Sequence, residues 1–161
     1  MPENLTALIL AAGKGVRMKS ALPKVLHDLM GKPMIHYVID AVRQAGASDV
    51  FVVVGYGKAQ LEKALQEKNV HLVEQAQQLG TGHAVQCFAA QFPTPPENLL
   101  VVCGDTPLLS AESLKSLRME HSAQRPAVTM LTLDMAEPGN YGRIVRDSQG
   151  RVCAIREAKD C

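Results

Sequence analysis

The sequence predicts an α/β fold in which helices cover both faces of a mostly parallel sheet. Short apolar runs, the first from Leu5 to Leu10, have the length of buried strands rather than helices. Segments in which apolar residues recur at helical spacing separate these runs, beginning with Met34 to Val42. Strands that are apolar on both faces and alternate with helices are typical of a parallel sheet buried on both sides.

Each element follows from its own pattern. We predict strands at Leu5 to Leu10, Val50 to Val54, Val70 to Val73, Leu99 to Cys103 and Ala127 to Leu133. We predict helices at Met34 to Val42, Lys58 to Gln66 and Ala84 to Phe92, and another after Ser110. Gly46 should end the first helix, and the Ser110 hydroxyl should cap the last. A closing pair of strands, Tyr141 to Val145 and Arg151 to Ile155, should flank the turn Asp147-Ser148-Gln149-Gly150.

Composition limits the class of protein. The chain has 161 residues, enough for one domain with a sizeable core, and we expect one domain over residues 1–161. Its 17 basic and 16 acidic residues argue against a general nucleic-acid binder. No apolar run is long enough to span a membrane, and residues 1–10 lack a secretion signal, so we expect a cytoplasmic protein. The cysteines form no C-x-x-C pair and are predicted to be unpaired: Cys87, Cys103, Cys153 and Cys161.

The loop after the first strand is unusually basic for a nearly neutral chain. It carries four cations: Lys14, Arg17, Lys19 and Lys24. Gly13 and Gly15 let the backbone approach a ligand closely, and exposed N–H groups on such a turn bind anions. The pattern indicates a polyphosphate site, with a solvated basic turn as the alternative.

Two familiar phosphate-binding motifs do not fit this loop, because Met18 stands where G-x-G-x-x-G and the Walker A motif each need glycine. The run L-A-A-G-K-G-V-R-M, followed by six residues that end in Pro23-Lys24, instead resembles the signature of the sugar-1-phosphate nucleotidylyltransferases. Within that family it is most similar to the N-terminal uridylyltransferase domain of the bifunctional N-acetylglucosamine-1-phosphate uridylyltransferase/glucosamine-1-phosphate acetyltransferases. Four further segments resemble the family in the expected order: 74–83, 102–108, 140–144 and 155–157.

The resemblance implies a Rossmann-like sheet of the nucleotide-diphospho-sugar transferase type. It implies UTP and N-acetylglucosamine 1-phosphate as substrates, Mg²⁺ as cofactor, and UDP-N-acetylglucosamine and pyrophosphate as products. These products would serve cell-envelope precursor synthesis, both peptidoglycan and lipopolysaccharide. Full-length relatives are expected to be homotrimers formed through a left-handed β-helix. The sequence contains neither that β-helix nor the later strands, so we expect a truncated domain, incomplete at its C-terminus.

The resemblance also assigns site residues. The nucleotide-binding residues are Leu10, Ala11, Ala12, Gly13, Lys24, Gln75, Gly80 and Thr81. Arg17 would contact the triphosphate and stabilise the leaving pyrophosphate, and Lys24 would bridge the phosphates of both substrates. Asp105 would bind the metal, since a lone carboxylate after a strand suits Mg²⁺. A turn aspartate ahead of Pro107 is the alternative.

The remaining assignments concern the base and the sugar. Gln75 has an amide that can pair with a uracil edge. Thr81 is predicted to be the N-cap of a helix that begins near Gly82. The resemblance implies that Gly142 and Glu157 contact the sugar. His83 is given no catalytic role.

Two alternatives to this enzyme stay open. One is a non-catalytic fragment that binds UTP but lacks the second metal ligand of the longer family members. The other is a nucleotidylyltransferase for a different sugar 1-phosphate. Gln75 and the segment Leu79-Gly80-Thr81-Gly82 favour uracil in either case.

Overall fold

The computed structural model describes residues 4–160, which divide after Val128 into two compact units. The first unit contains β1 (Leu5–Leu10), β2 (Asp28–Leu29), β3 (Lys32–Pro33), α1 (Met34–Gln44), β4 (Asp49–Val54), α2 (Lys58–Leu65), β5 (His71–Glu74), α3 (Thr81–Ala89), β6 (Asn98–Cys103) and α4 (Ala111–Gln124). Single-turn 3-10 helices span Val16–Met18 and Lys24–Leu26. None of the helices within residues 4–160 is long and apolar enough to cross a membrane.

Four of these strands form a parallel sheet with the order β5-β4-β1-β6. Leu10 pairs with Val53 on one side and with Cys103 on the other, while Val54 pairs with Glu74. The four strands therefore end at one common edge, which we call the carboxyl edge. In an open parallel sheet the loops at this edge carry the ligand site.

Helices cover both faces of the sheet, as predicted. On one face Ile9 and Val52 pack in a core with residues of α1, α2 and α4: Ile35, Val38, Ile39, Val42, Leu61, Leu65 and Leu114. On the other face Leu8 and Val53 pack with Phe88 of α3. Neighbouring strand residues point to opposite faces, so each continuous apolar run supplies both cores.

An aromatic cluster fixes α3 on its face. The Phe88 ring lies 5.0 Å from the Phe51 ring in an edge-on arrangement, and 4.8 Å from the Phe92 ring. Aromatic pairs of this geometry add stability beyond their buried area. Because α3 follows the loop after β5, this packing also fixes where that loop ends.

Two predicted helix ends are confirmed and one is wrong. Gly46, with φ of 97°, follows the end of α1, and the Ser110 hydroxyl accepts from the Ser113 backbone N–H at 3.1 Å. Thr81 is not an N-cap, because it is the first residue of α3 and Gly80 precedes it. Gly80 takes φ of 102°, a conformation that favours glycine and supplies the turn into the helix.

The second unit contains an antiparallel pair, β7 (Arg143–Arg146) and β8 (Val152–Arg156), followed by a 3-10 helix at Ala158–Asp160. Asp147 organises the turn between the strands, because its Oδ1 accepts from the backbone N–H groups of Gln149 and Arg151 at 2.9 and 3.0 Å. The predicted closing pair is confirmed.

The predicted strand from Ala127 to Leu133 is wrong. Residues 127–133 have no strand pairing within the described chain, and Val128 and Leu133 are 71% and 77% exposed. A strand needs a neighbour for its backbone N–H and C=O groups. An apolar run forms a buried strand only where such a neighbour exists, and none of the described strands pairs with residues 127–133.

Candidate active site

The carboxyl edge brings together the loops that follow β1, β5 and β6. Three backbone N–H groups extend the pairing past the strand ends: Ala11 to the Val53 carbonyl at 3.0 Å, Gln75 to the Val54 carbonyl at 2.8 Å, and Gly104 to the Leu10 carbonyl at 2.9 Å. The predicted residues Leu10, Ala11 and Ala12 therefore lie between Gln75 and the segment that carries Asp105.

The loop after β1 folds back onto this edge, and two glycines permit the close contacts. Gly15 has φ of 58°, and a Cβ there would lie 2.8 Å from the Cβ of Lys24. Gly57 has φ of 68°, and a Cβ there would lie 2.3 Å from Cγ of Pro23. Pro23 and Val25 are buried, so the second half of the loop is anchored next to Lys24.

The first half of this loop is open to solvent. Gly13 has no heavy atom within 4 Å of the position a Cβ would take. Lys14, Arg17 and Lys19 are exposed, and none of them forms an ion pair within the part of the chain that the structure describes. Their charges are available to an anion that approaches Gly13.

Lys24 and Asp105 form an ion pair across the edge. Lys24 Nζ donates to Oδ2 of Asp105 at 2.7 Å, and the two side chains are 37% and 35% exposed. A pair this exposed contributes at most about 1 kcal/mol, so a ligand can open it at small cost. Across residues 4–160 the Asp105 carboxylate accepts no backbone N–H, which does not favour its alternative role as a turn residue.

Cys103, at the end of β6, is not activated as a nucleophile. Cys87, Cys103 and Cys153 are free, as predicted, and Cys161 lies outside the described residues. Although Cys103 is exposed, desolvation by the surrounding protein and then the negative charge of Asp105 raise the pKa of its thiol above its ordinary value. The Cys103 side chain therefore stays protonated at neutral pH.

Gln75, unlike the basic loop, is buried, at 3% exposure. Its Nε2 donates to the Gly80 carbonyl at 3.0 Å and also lies 3.0 Å from Nδ1 of His83. No hydrogen bond within residues 4–160 reaches its Oε1. Gly80 and Thr81 follow at the start of α3, where Thr81 is exposed and the position of a Gly80 Cβ is unobstructed.

The two predicted sugar-contacting residues lie together in the second unit. Arg143 pairs with Arg156 in the β7–β8 ladder, which sets Gly142 beside Glu157 at one end of the pair. A Cβ on Gly142 would lie 3.5 Å from the Arg156 carbonyl oxygen, so the two strands approach closely there. Glu157 is exposed, and it already interacts with another part of the protein.

Comparison with known proteins shows the family of the chain. The model of the MobA-like NTP transferase domain matches residues 7–152. The chain belongs to this family. Membership of the MobA-like NTP transferase family confirms the prediction of a nucleotidyltransferase.

Relatives and solved structures agree with this membership. The chain is 51% identical to the bifunctional protein GlmU of Sorangium cellulosum (strain So ce56) over 99% of its own length, but it spans only 35% of that protein. This supports the predicted resemblance to the nucleotidyltransferase part of the bifunctional enzymes.

Two solved structures share the fold. UDP-glucose pyrophosphorylase complexed with UDP-glucose aligns over 96% of this chain and 69% of its own, with 21% identity and a TM-score of 0.68. Rv0371c of Mycobacterium tuberculosis H37Rv in complex with manganese aligns over 74% of this chain and 60% of its own, with 18% identity and a TM-score of 0.61. The predicted fold type of the nucleotide-diphospho-sugar transferases is confirmed.

Asp105 offers one carboxylate to a divalent metal at the carboxyl edge. Within the described residues no cluster of three or more His, Cys, Asp or Glu side chains could hold a metal ion. Asp105 is a single, partly exposed carboxylate. Mg²⁺ accepts one or two carboxylates and completes its shell with phosphate oxygens and water, so Asp105 suits a metal that arrives with a triphosphate.

Two features of the site were not predicted. The Lys24–Asp105 pair joins residues 81 positions apart, and no local pattern signals it. The contact of His83 with Gln75 was also missed. Its only sequence signal is that His83 stands in the first turn of the helix that follows the Gln75 segment.

Proposed function

We propose that this chain transfers a uridylyl group from UTP to N-acetylglucosamine 1-phosphate, releasing pyrophosphate. The observation that carries the proposal is the meeting of an open basic loop, the Lys24–Asp105 pair and Gln75 at one edge of the sheet. Because the chain spans about a third of the relatives it matches, the reaction and its substrates are proposals for this chain.

The reaction requires one anion to attack another, so charge neutralisation is the first task. Arg17 is exposed and has no ion pair within residues 4–160, so its guanidinium can bind the triphosphate and stabilise the pyrophosphate that leaves. Lys24 lies deeper, beside buried Pro23, and can contact phosphates of both substrates. Cations placed where charge develops lower the barrier without covalent catalysis.

We propose Asp105 as the protein ligand of Mg²⁺. Bound magnesium would neutralise phosphate charge and help to align the triphosphate. Lys24 would leave the Asp105 carboxylate as the phosphates arrive, because both the carboxylate and the phosphates compete for its ammonium group. Gly13, Leu10, Ala11 and Ala12 would hold the nucleoside at the end of β1.

The base would lie against Gln75 and Gly80. Both amide hydrogens of Gln75 are already bonded, so its Oε1 is the atom that can meet a ligand. Oε1 is an acceptor, and uracil has one ring donor on its pairing edge, N3–H. Gly80 leaves open space for the base, and Thr81 would contact the nucleotide from the first turn of α3.

We propose that Gly142 and Glu157 contact the sugar, Gly142 through its backbone and Glu157 by accepting from a hydroxyl. A cytoplasmic location, a role in cell-envelope precursor synthesis and trimers of the longer family members stay predictions.

Pyrophosphate release tests the proposal. The 161-residue chain is incubated with UTP, Mg²⁺ and N-acetylglucosamine 1-phosphate, beside a version extended to the length of the GlmU relatives. Release by both versions supports the reaction for this chain. Release by the longer version alone, with UTP binding retained by the shorter, indicates a nucleotide-binding fragment. If neither releases pyrophosphate, the proposed substrates are wrong.

A further inference from the structure

We propose that His83 is a positioning residue that sets the orientation of the Gln75 amide and thereby the preference for uracil over cytosine. The inference rests on the proposed uridylyl transfer, since it names the residue that makes the same site selective for its base. His83 does not need to contact the nucleotide for this role.

The contacts of the Gln75 amide nitrogen determine which atoms donate and which accept. The amide nitrogen of Gln75 can only donate, so Nδ1 of His83, 3.0 Å away, accepts one of its hydrogens. The Gly80 carbonyl, also 3.0 Å away, accepts the other hydrogen. As the acceptor of the hydrogen bond from Gln75, Nδ1 is the ring nitrogen that carries no proton. Two acceptors on the nitrogen side hold the amide so that Oε1 is left for a ligand.

His83 itself is held in place. It is partly buried in the first turn of α3, and its Nε2 lies 3.7 Å from Sγ of Cys87, one turn further along. The neighbouring Ala84 and Phe88 are buried against the sheet. The ring is therefore held between the Gln75 amide and Cys87, next to the side of α3 that packs on the sheet.

The orientation of this amide decides which base fits. Uracil offers N3–H, a donor, to an acceptor such as Oε1. Cytosine has an unprotonated N3, which is an acceptor, so Oε1 would face a second lone pair. Rotating the amide by half a turn would place Nε2, a donor, opposite the base, and this donor would favour N3 of cytosine. Without His83, the Gly80 carbonyl is the one remaining hydrogen-bond partner within residues 4–160 that opposes this rotation.

Three substitutions at one position test the role. Affinities for UTP and CTP in the presence of Mg²⁺ are measured by titration calorimetry on the full chain and expressed as their ratio. In His83→Ala the preference for UTP should fall about threefold to tenfold, the range of one neutral hydrogen bond. His83→Asn should restore most of it, because Oδ1 of asparagine can take the place of the Nδ1 acceptor. His83→Gln should not, since its longer side chain moves the amide away from that position.

The outcomes separate this inference from the proposed function. A wild-type chain without preference for UTP overturns the proposed function itself. A wild-type preference that His83→Ala retains overturns only the role of His83, as does an equal loss in all three variants. Gln86→Ala, an exposed change on the same helix, controls for general effects on α3 and should keep the wild-type ratio. If His83→Ala does not fold, the difference between the Asn and Gln variants still decides.

Discussion

The loop after β1 and the segment after β5 leave the same edge of the sheet but are built in opposite ways. Lys14 and Arg17 in the first are exposed and form no ion pair within residues 4–160, whereas Gln75 in the second is buried with both amide hydrogens bonded. The difference follows from what each would recognise. Coulomb attraction tolerates distance and angle, so exposed cations suffice for phosphates. A hydrogen bond to a base depends on direction, so its donor or acceptor must be held.

The two regions should therefore respond differently to substitution. Loss of a cation that contacts the phosphates, such as Arg17, should reduce the rate and leave the fold intact. Loss of a held amide should reduce stability and selectivity and have a smaller effect on the rate. Five substitutions test this contrast, and the size of the expected effect decreases from Arg17→Ala to Lys19→Ala.

Arg17→Ala should lower turnover by about 10²- to 10³-fold, the usual cost of removing a group that stabilises transition-state charge. Pyrophosphate release from UTP at saturating substrate measures it. Thermal unfolding should be unchanged, because Arg17 is exposed and has no ion pair within the described residues. Near-normal turnover would remove Arg17 from the site. Lys24→Ala should lower turnover by a similar factor.

Asp105→Ala should remove the dependence of turnover on Mg²⁺ and lower the rate by about 10²-fold. Activity measured over a Mg²⁺ titration, with Mn²⁺ binding followed independently by electron paramagnetic resonance, tests both effects. A variant that kept the wild-type metal response and Mn²⁺ affinity would make Asp105 only the partner of Lys24.

Gln75→Leu should lower the free energy of unfolding by about 1–3 kcal/mol, because the Gly80 carbonyl and His83 Nδ1 would each lose a buried donor. Chemical denaturation of the variant beside wild type and Arg17→Ala measures it. If Gln75→Leu and Arg17→Ala had the same stability, the contrast between a held amide and a free cation would be wrong.

Lys19→Ala should change turnover less than about twofold and stability by less than about 0.5 kcal/mol. It removes the same charge as Arg17→Ala from the same loop, so it is the matched control for net charge. A loss comparable to that of Arg17→Ala would show that the field of the whole loop, rather than the position of Arg17, drives the reaction.

The sequence predicted an element correctly where neighbouring residues alone determine it, and failed where a distant part of the chain does. Leu5–Leu10 was predicted to the residue, because a continuous apolar run between polar segments is itself the signal of a doubly covered strand. Residues 127–133 show the limit, since the same kind of run forms no strand without a partner. Thr81 was misplaced by one residue, because the cap depends on the backbone angle of Gly80 rather than on the hydroxyl.

The site was predictable in its parts but not in its contacts. The positions of Lys24 and Asp105 followed from the resemblance, yet their pairing requires the register of β1 with β6, which no local pattern contains. Likewise Gln75 was singled out, but no local pattern showed that its amide nitrogen would contact the Gly80 carbonyl and Nδ1 of His83.

Because Gly57 and Pro23 lie in close contact, we expect the residue types allowed at these two positions to depend on each other. A methyl group at residue 57 would overlap the proline ring, at 2.3 Å from its Cγ, and would also strain a backbone with φ of 68°. Any larger residue at 57 would push Pro23 outward and move its neighbour Lys24 with it. A substitution of Gly57, in the turn before α2, would thus disturb the loop after β1, and a family member that tolerates one should carry a smaller residue at position 23 in compensation.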